Sequence, residues 1–222
     1  MNIWHKLNQT AADAVSGVRA ALVQIRSEGG GIGAGTIWHP DGMIITSAHV
    51  IAGRRGLRRS LEVELADGDI YPAQVMAYDL QTDIAALAID ASNLPSVHIG
   101  HSSRLKPGQY LMALGHPFGV LDALTAGVVI GQGDKLPEVT DGREWVALDM
   151  RMRPGHSGGP LFTPQGEVVG INTLIRGPGV SFAVPVDVVK RFLKSTIGRA
   201  ADPIGEAAAY RPGSPSRQAA QL

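Results

Sequence analysis

The stretch Arg153-Pro-Gly-His-Ser-Gly-Gly-Pro160 sets one serine inside a glycine cluster. Glycine at 155 permits a backbone bend that would aim the N–H groups of Gly155 and Ser157 at one point, where an oxyanion forms when a carbonyl is attacked. Ser157 is therefore the candidate nucleophile, with Gly155 and Ser157 as candidate oxyanion donors. A hydroxyl is a weak nucleophile at its free pKa. It needs a base, usually a histidine, and a third group that holds the histidine in the right tautomer. His49, in Thr46-Ser-Ala-His-Val50, follows the apolar run Met43-Ile44-Ile45, and Asp83 opens Asp83-Ile-Ala-Ala-Leu-Ala-Ile89. Each stands at the end of an expected strand.

Chain order separates two architectures. Gly155-His-Ser-Gly-Gly159 also fits the G-x-S-x-G nucleophile elbow, whose fold requires its histidine after the serine. The seven histidines stand at positions 5, 39, 49, 98, 101, 116 and 156, so none follows Ser157. The order His, Asp, Ser is the one found in chymotrypsin-like double barrels.

Segments beyond this trio carry a family resemblance. Gly33-Ala-Gly-Thr-Ile-Trp38, Asp83-Ile-Ala-Ala-Leu87, Ala113-Leu-Gly-His-Pro-Phe-Gly119, Leu124-Thr-Ala-Gly-Val-Val-Ile130, Gly170-Ile-Asn-Thr173 and Ser181-Phe-Ala-Val-Pro185 resemble, in order, segments of the HtrA/Deg family of trypsin-like serine proteases. The resemblance implies an all-β fold of two six-stranded antiparallel β-barrels of the chymotrypsin type, with a short N-terminal and a C-terminal helix. It implies a catalytic triad of His49, Asp83 and Ser157, an oxyanion hole at Gly155 and Ser157, and no cofactor or metal. Met152 and Ile175 would wall the primary specificity pocket, and the strand edge Leu174-Ile175-Arg176 would pair with an extended substrate. Implied partners are unfolded or flexible polypeptides, with homotrimers common in the family. The chain departs from the family in having Ser47, His116 and His156 where asparagine is usual, and in a shorter segment from Leu174 to Val180. About 25 residues follow the matched region, too few for the peptide-binding PDZ domain common in the family.

Composition agrees with this reading. The chain has 222 residues, 44% of them hydrophobic, enough to bury a double-barrel core. Its 28 glycines suit many short strands joined by tight turns. Twenty basic and twenty acidic side chains give a formal net charge of zero, so no global field steers the protein to nucleic acid or an acidic membrane. Without cysteine there are no disulfides or zinc-thiolate sites. The first ten residues lack the apolar core of a secretory signal, and no segment approaches membrane-spanning length. The sequence as it stands reads as cytoplasmic, with a periplasmic or extracellular placement the alternative if an export signal precedes it.

Residues 1–197 are expected to form the protease domain, with barrels over about 20–95 and 109–185 and a helix over 186–197 bearing the apolar stripe Val189, Phe192 and Leu193. A short helix is expected over Ala11–Ala20 and a strand over Ala21–Ile25. The alternation Leu61-Glu-Val-Glu-Leu65, then Asp67-Gly68, then Ile70 to Ala77, reads as a hairpin with one buried face. The Ala-, Pro- and Ser-rich stretch 198–222 reads as disordered. Asp79 competes with Asp83 but suits a surface turn. His98-Ile-Gly-His101 has metal-like spacing and reads as a solvated loop, as does the cluster Arg54, Arg55, Arg58 and Arg59. A second base at His156 is disfavoured, since its side chain should point away from Ser157 Oγ. A binding or chaperone-like module on the same barrels, with little turnover, is the competing function.

Overall fold

The computed structural model describes residues 3–27, 30–53, 56–134, 142–175 and 179–196. The expectations for Arg54, Arg55, Arg176 and the stretch 198–222 fall outside them. Helix α1 (Ile3–Arg19) leads into β1 (Leu22–Ser27), β2 (Gly30–His39) and β3 (Met43–Thr46). The short helix α2 (Ala48–Ile51) and the two-residue strands β4 (Ala52–Gly53) and β5 (Gly56–Leu57) follow, then β6 (Glu62–Glu64), β7 (Ile70–Asp79) and β8 (Ile84–Ile89). The second half holds β9 (His98–Ile99), β10 (Tyr110–Gly115), β11 (Ala123–Gly133), β12 (Trp145–Asp149), β13 (Pro160–Phe162), β14 (Glu167–Ile175), β15 (Val180–Pro185) and helix α3 (Val186–Thr196).

Strands β1-β2-β3-β8-β7-β6 close into one antiparallel barrel. Strands β13-β10-β11-β12-β15-β14 close into a second through the pairing of β13 with β14. The expected hairpin is β6 and β7, paired Glu62↔Pro72 to Glu64↔Ile70, and β7 alternates exposed and half-buried positions along its length. The run Ile84–Ile89 does not alternate, because both of its faces are covered. Ala85, Leu87 and Ile89 enter the first barrel's core, while Ile84 and Ala86 pack with Trp145, Ile171, Phe182 and Val188 of the second half. Strand β8 thus lies in the wall between the barrels and carries Asp83 at its start.

Three expectations shift. Helix α1 starts at Ile3 rather than Ala11, and the polar residues before Ala11 stay helical, with Gln9 Nε2 donating to Asp13 Oδ1 at 2.9 Å one turn on. The first strand spans Leu22–Ser27. His98 and Ile99, read as loop, form β9 parallel to β14, with Gly100 N–H donating to Val168 O. Helix α3 buries Val186, Val188, Val189 and Phe192. Asp187 anchors its start by accepting from Ser102 Oγ and Ser103 N–H, each at 2.9 Å.

Candidate active site

His49 stands on α2 and Asp83 in the turn between β7 and β8, both on the first barrel. Asp79 fixes that turn, its carboxylate accepting from Gln81 N–H at 2.8 Å and Thr82 Oγ–H at 2.9 Å. Asp83 is thereby presented to His49. Its carboxylate lies 2.8 and 3.0 Å from His49 Nδ1 and accepts the His49 backbone N–H at 2.9 Å. Burial opposes ionisation of Asp83, but the hydrogen bonds from His49 and Thr173 and the charge on His49 outweigh it, and the carboxyl is held below its ordinary pKa of 3.8. The His49 side chain is 45% exposed and that of Asp83 only 9%, so the ring opens to solvent from a buried anchor.

Ser157 comes from the second barrel, in the turn between β12 and β13. Its Oγ donates to Thr173 O at 3.1 Å, and Thr173 Oγ donates to Asp83 Oδ2. Thr173 therefore links the nucleophile candidate to the carboxylate. The β14/β15 ladder pairs Asn172 with Ala183 and Leu174 with Phe182, so Thr173 is an extra residue in β14. Such a bulge re-aims a side chain, here toward the other barrel. No hydrogen bond joins Ser157 Oγ to His49 among the described residues.

The serine turn is held through its backbone by both barrels. Ala34 N–H donates to Ser157 O at 2.9 Å, Thr36 Oγ to Gly158 O at 3.2 Å, and Gly158 N–H to Asn172 O at 2.8 Å. Ser47 Oγ donates to Asn172 O at 3.0 Å across the barrels. Gly155 has a φ of +105°, and a Cβ there would sit 2.5 Å from His116 O. Among the described residues no backbone acceptor takes the N–H of Gly155 or of Ser157. A cavity of about 300 Å³ borders Gly155, lined also by Gln24, Gly33, His116, Phe118 and Pro154.

Met152 is buried among the second barrel's core residues, its N–H donating to Ser181 Oγ at 3.3 Å. Leu174 and Ile175 pair with β15 on one side, while β13 stops pairing with β14 at Ile171. The other edge of β14 beyond Ile171 has no strand partner among the described residues, on the side where Thr173 O meets Ser157. His156 Nδ1 lies 3.1 Å from Arg153 O, so its ring is engaged by the backbone of its own turn. Sequence reasoning passed over Thr36, Ser47, Asn172 and Thr173 as site-building residues. Their signal is faint: small polar residues inside apolar runs, which a barrel must bury with a partner.

The Trypsin-like peptidase domain profile matches residues 33–171. Serine protease HTRA1 of Xenopus laevis is 35% identical over 202 residues, covering 85% of this chain and 43% of the relative. The "Probable periplasmic serine endoprotease DegP-like" of Pseudomonas savastanoi pv. phaseolicola is 41% identical over 162 residues, covering 71% and 33%. Serine protease HTRA3 of Homo sapiens is 38% identical over 167 residues, covering 72% and 37%. The chain thus spans less than half the length of these relatives. Among solved structures, the HtrA-type protease AlgW with a tripeptide superposes with a TM-score of 0.78 at 30% identity, covering 86% of this chain and 64% of that one. The same protease with a decapeptide gives 0.77 at 27% identity, covering 85% and 67%. Barrel pairing and these matches agree that the chain belongs to the trypsin-like peptidase family, as a protease domain of HtrA type.

Proposed function

We propose that this chain is a serine endopeptidase that cleaves unfolded or flexible polypeptides in protein quality control. The observation that carries the reading is the linkage of His49, Asp83, Thr173 and Ser157 across the barrel junction, beside the N–H groups of Gly155 and Ser157, which no backbone acceptor takes among the described residues. His49 takes the Ser157 proton as Oγ attacks the scissile carbonyl, and then protonates the leaving amine. Ionised Asp83 holds the imidazole and stabilises its cation. The N–H groups of Gly155 and Ser157 stabilise the oxyanion, each worth on the order of 3 kcal/mol in enzymes of this type. The open edge at Leu174 and Ile175 supports binding of substrate as an added strand.

Ser157 Oγ must turn from Thr173 O toward His49 before attack, a rearrangement in keeping with catalytic hydrogen bonds that tighten only with substrate bound. The same observation favours the second reading, a peptide-binding module with latent turnover. Hydrolysis of an unfolded protein such as casein separates them. The enzyme reading expects turnover that Ser157→Ala lowers by about a thousandfold or more, with His49→Ala adding little in combination. Peptide binding without turnover supports the module.

Met152 and Ile175 as apolar pocket walls would favour Val, Ala, Ile or Leu before the scissile bond and leave a Lys or Arg cation desolvated. Dominant cleavage after basic residues in a peptide library would reject this assignment. A homotrimer is part of the proposal, as is action in the cytoplasm or, following the DegP-like relatives, the periplasm. No helix among the described residues is long and apolar enough to cross a membrane.

A further inference from the structure

We propose that His116 and His156 are positioning residues for the oxyanion turn and hold it only while both imidazoles are neutral, so that acid disassembles the site independently of His49. The inference rests on the endopeptidase reading and adds to it two groups that play no part in the chemistry above.

The Gly155–His156 peptide is held at both ends. Its carbonyl accepts His116 N–H at 2.9 Å, and its N–H donates to Arg153 O at 3.0 Å. The two rings extend this grip. His156 Nδ1 lies 3.1 Å from Arg153 O and 3.3 Å from Arg153 N, bracing the entry to the turn. His116 Nδ1 accepts Asp122 N–H at 3.2 Å, closing the loop 116–122, in which Phe118 and Asp122 have φ of 54° and 58°. Contact between the loops is tight. A Cβ on Gly115 would lie 2.5 Å from His156 Cα and 3.2 Å from its Cγ. His116 and His156 are 8% and 4% exposed, and both Nε2 atoms are buried.

A proton on either ring is disruptive for separate reasons. Added to His116 Nδ1, it displaces the Asp122 N–H that closes the loop. Added to His156, it places a cation on a buried ring beside Arg153. Burial is the largest influence and lowers both pKa values below 6.5. Asp122, with Glu64 more weakly, draws His116 back up, and backbone carbonyls do the same for both rings. Arg153 and His116 push His156 further down. The facing carboxylates are themselves engaged, Asp122 by Arg19 and Glu64 by Arg26. Asp67 lies across the cavity that His116 shares with Glu64 and Asp122.

The test is the pH dependence of kcat and KM on an uncharged quenched-fluorescence peptide, for the native chain and for His116→Asn with His156→Asn, whose amides keep donor and acceptor without titrating. On the acid side the native chain is expected to lose kcat with a limiting slope of about a hundredfold per pH unit or steeper, and the double variant with a limiting slope of only about tenfold, as for a single protonation. KM should shift by less than about twofold. Histidine 15N resonances of the native chain supply a second readout if the variant folds poorly: His116 and His156 should be neutral at pH 7 and gain protons over the range in which kcat collapses. Coincident profiles, or imidazoles whose titration leaves kcat untouched, would overturn the pair alone. Absence of hydrolysis at every pH would overturn the endopeptidase reading with it.

Discussion

Asp83 sits at a φ of 56°, a left-handed conformation rare for any residue but glycine and less costly for aspartate than for most. The strain is tolerated because the carboxylate collects the His49 ring, the His49 N–H and the Thr173 hydroxyl. Removing the hydroxyl with Thr173→Val breaks a hydrogen bond to a charged group worth about 1.5–3 kcal/mol, so kcat/KM is expected to fall about 10- to 150-fold. An unchanged value would show that His49 alone suffices to hold Asp83. The depressed Asp83 pKa also fixes the sign of a stability effect. The unfolded chain binds the proton more readily, so the stabilisation is complete above the unfolded value near pH 4 and is lost as pH falls through the folded value. The urea midpoint should therefore drop between pH 5 and pH 2 by more in the native chain than in Asp83→Asn, as fluorescence-monitored unfolding at about those two pH values would reveal.

At the scale of elements, the bulge in β14 and the serine turn decide whether residues far apart in sequence meet. Gly158 has a φ of +86°, and a Cβ there would fall 2.1 Å from Ala34 O and 2.2 Å from Thr46 Oγ. Gly158→Ala is expected to cost about 3 kcal/mol or more and to separate the turn from the first barrel, with loss of activity exceeding loss of fold. Thermal melting beside peptidase rate checks this; a variant with native melting and native rate would contradict it. Strand alternation and turn signals made β6 and β7 legible from sequence, and the glycine cluster marked the serine turn. The bulge at Thr173 was not legible, because ladder register is set by the partner strand and not by local composition. The strand His98–Ile99 escaped for a related reason: two residues carry no period, and β14 alone makes them a strand.

Across the whole molecule, the two barrels share their packing. Met112, Leu114, Phe162 and Val168 of the second half belong to the same apolar cluster as Leu22, Ile25 and Val63 of the first. A second cluster joins Ile45 and Ile84 to Trp145, Phe182 and Phe192, with Trp145 and Phe182 edge to face at 6.2 Å. The barrels are therefore expected to unfold in one calorimetric transition, and two resolved transitions would contradict the shared core. The same junction carries the candidate site, His49 and Asp83 on one side and Ser157 on the other, so under the proposed mechanism fold and reactivity depend on one interface. The most direct test of the central claim is labelling of the folded chain by a fluorophosphonate probe, with the modified residue located by mass spectrometry. A single adduct on Ser157, abolished by His49→Ala, is the predicted result. No adduct on folded protein, or one at another serine, would contradict the account.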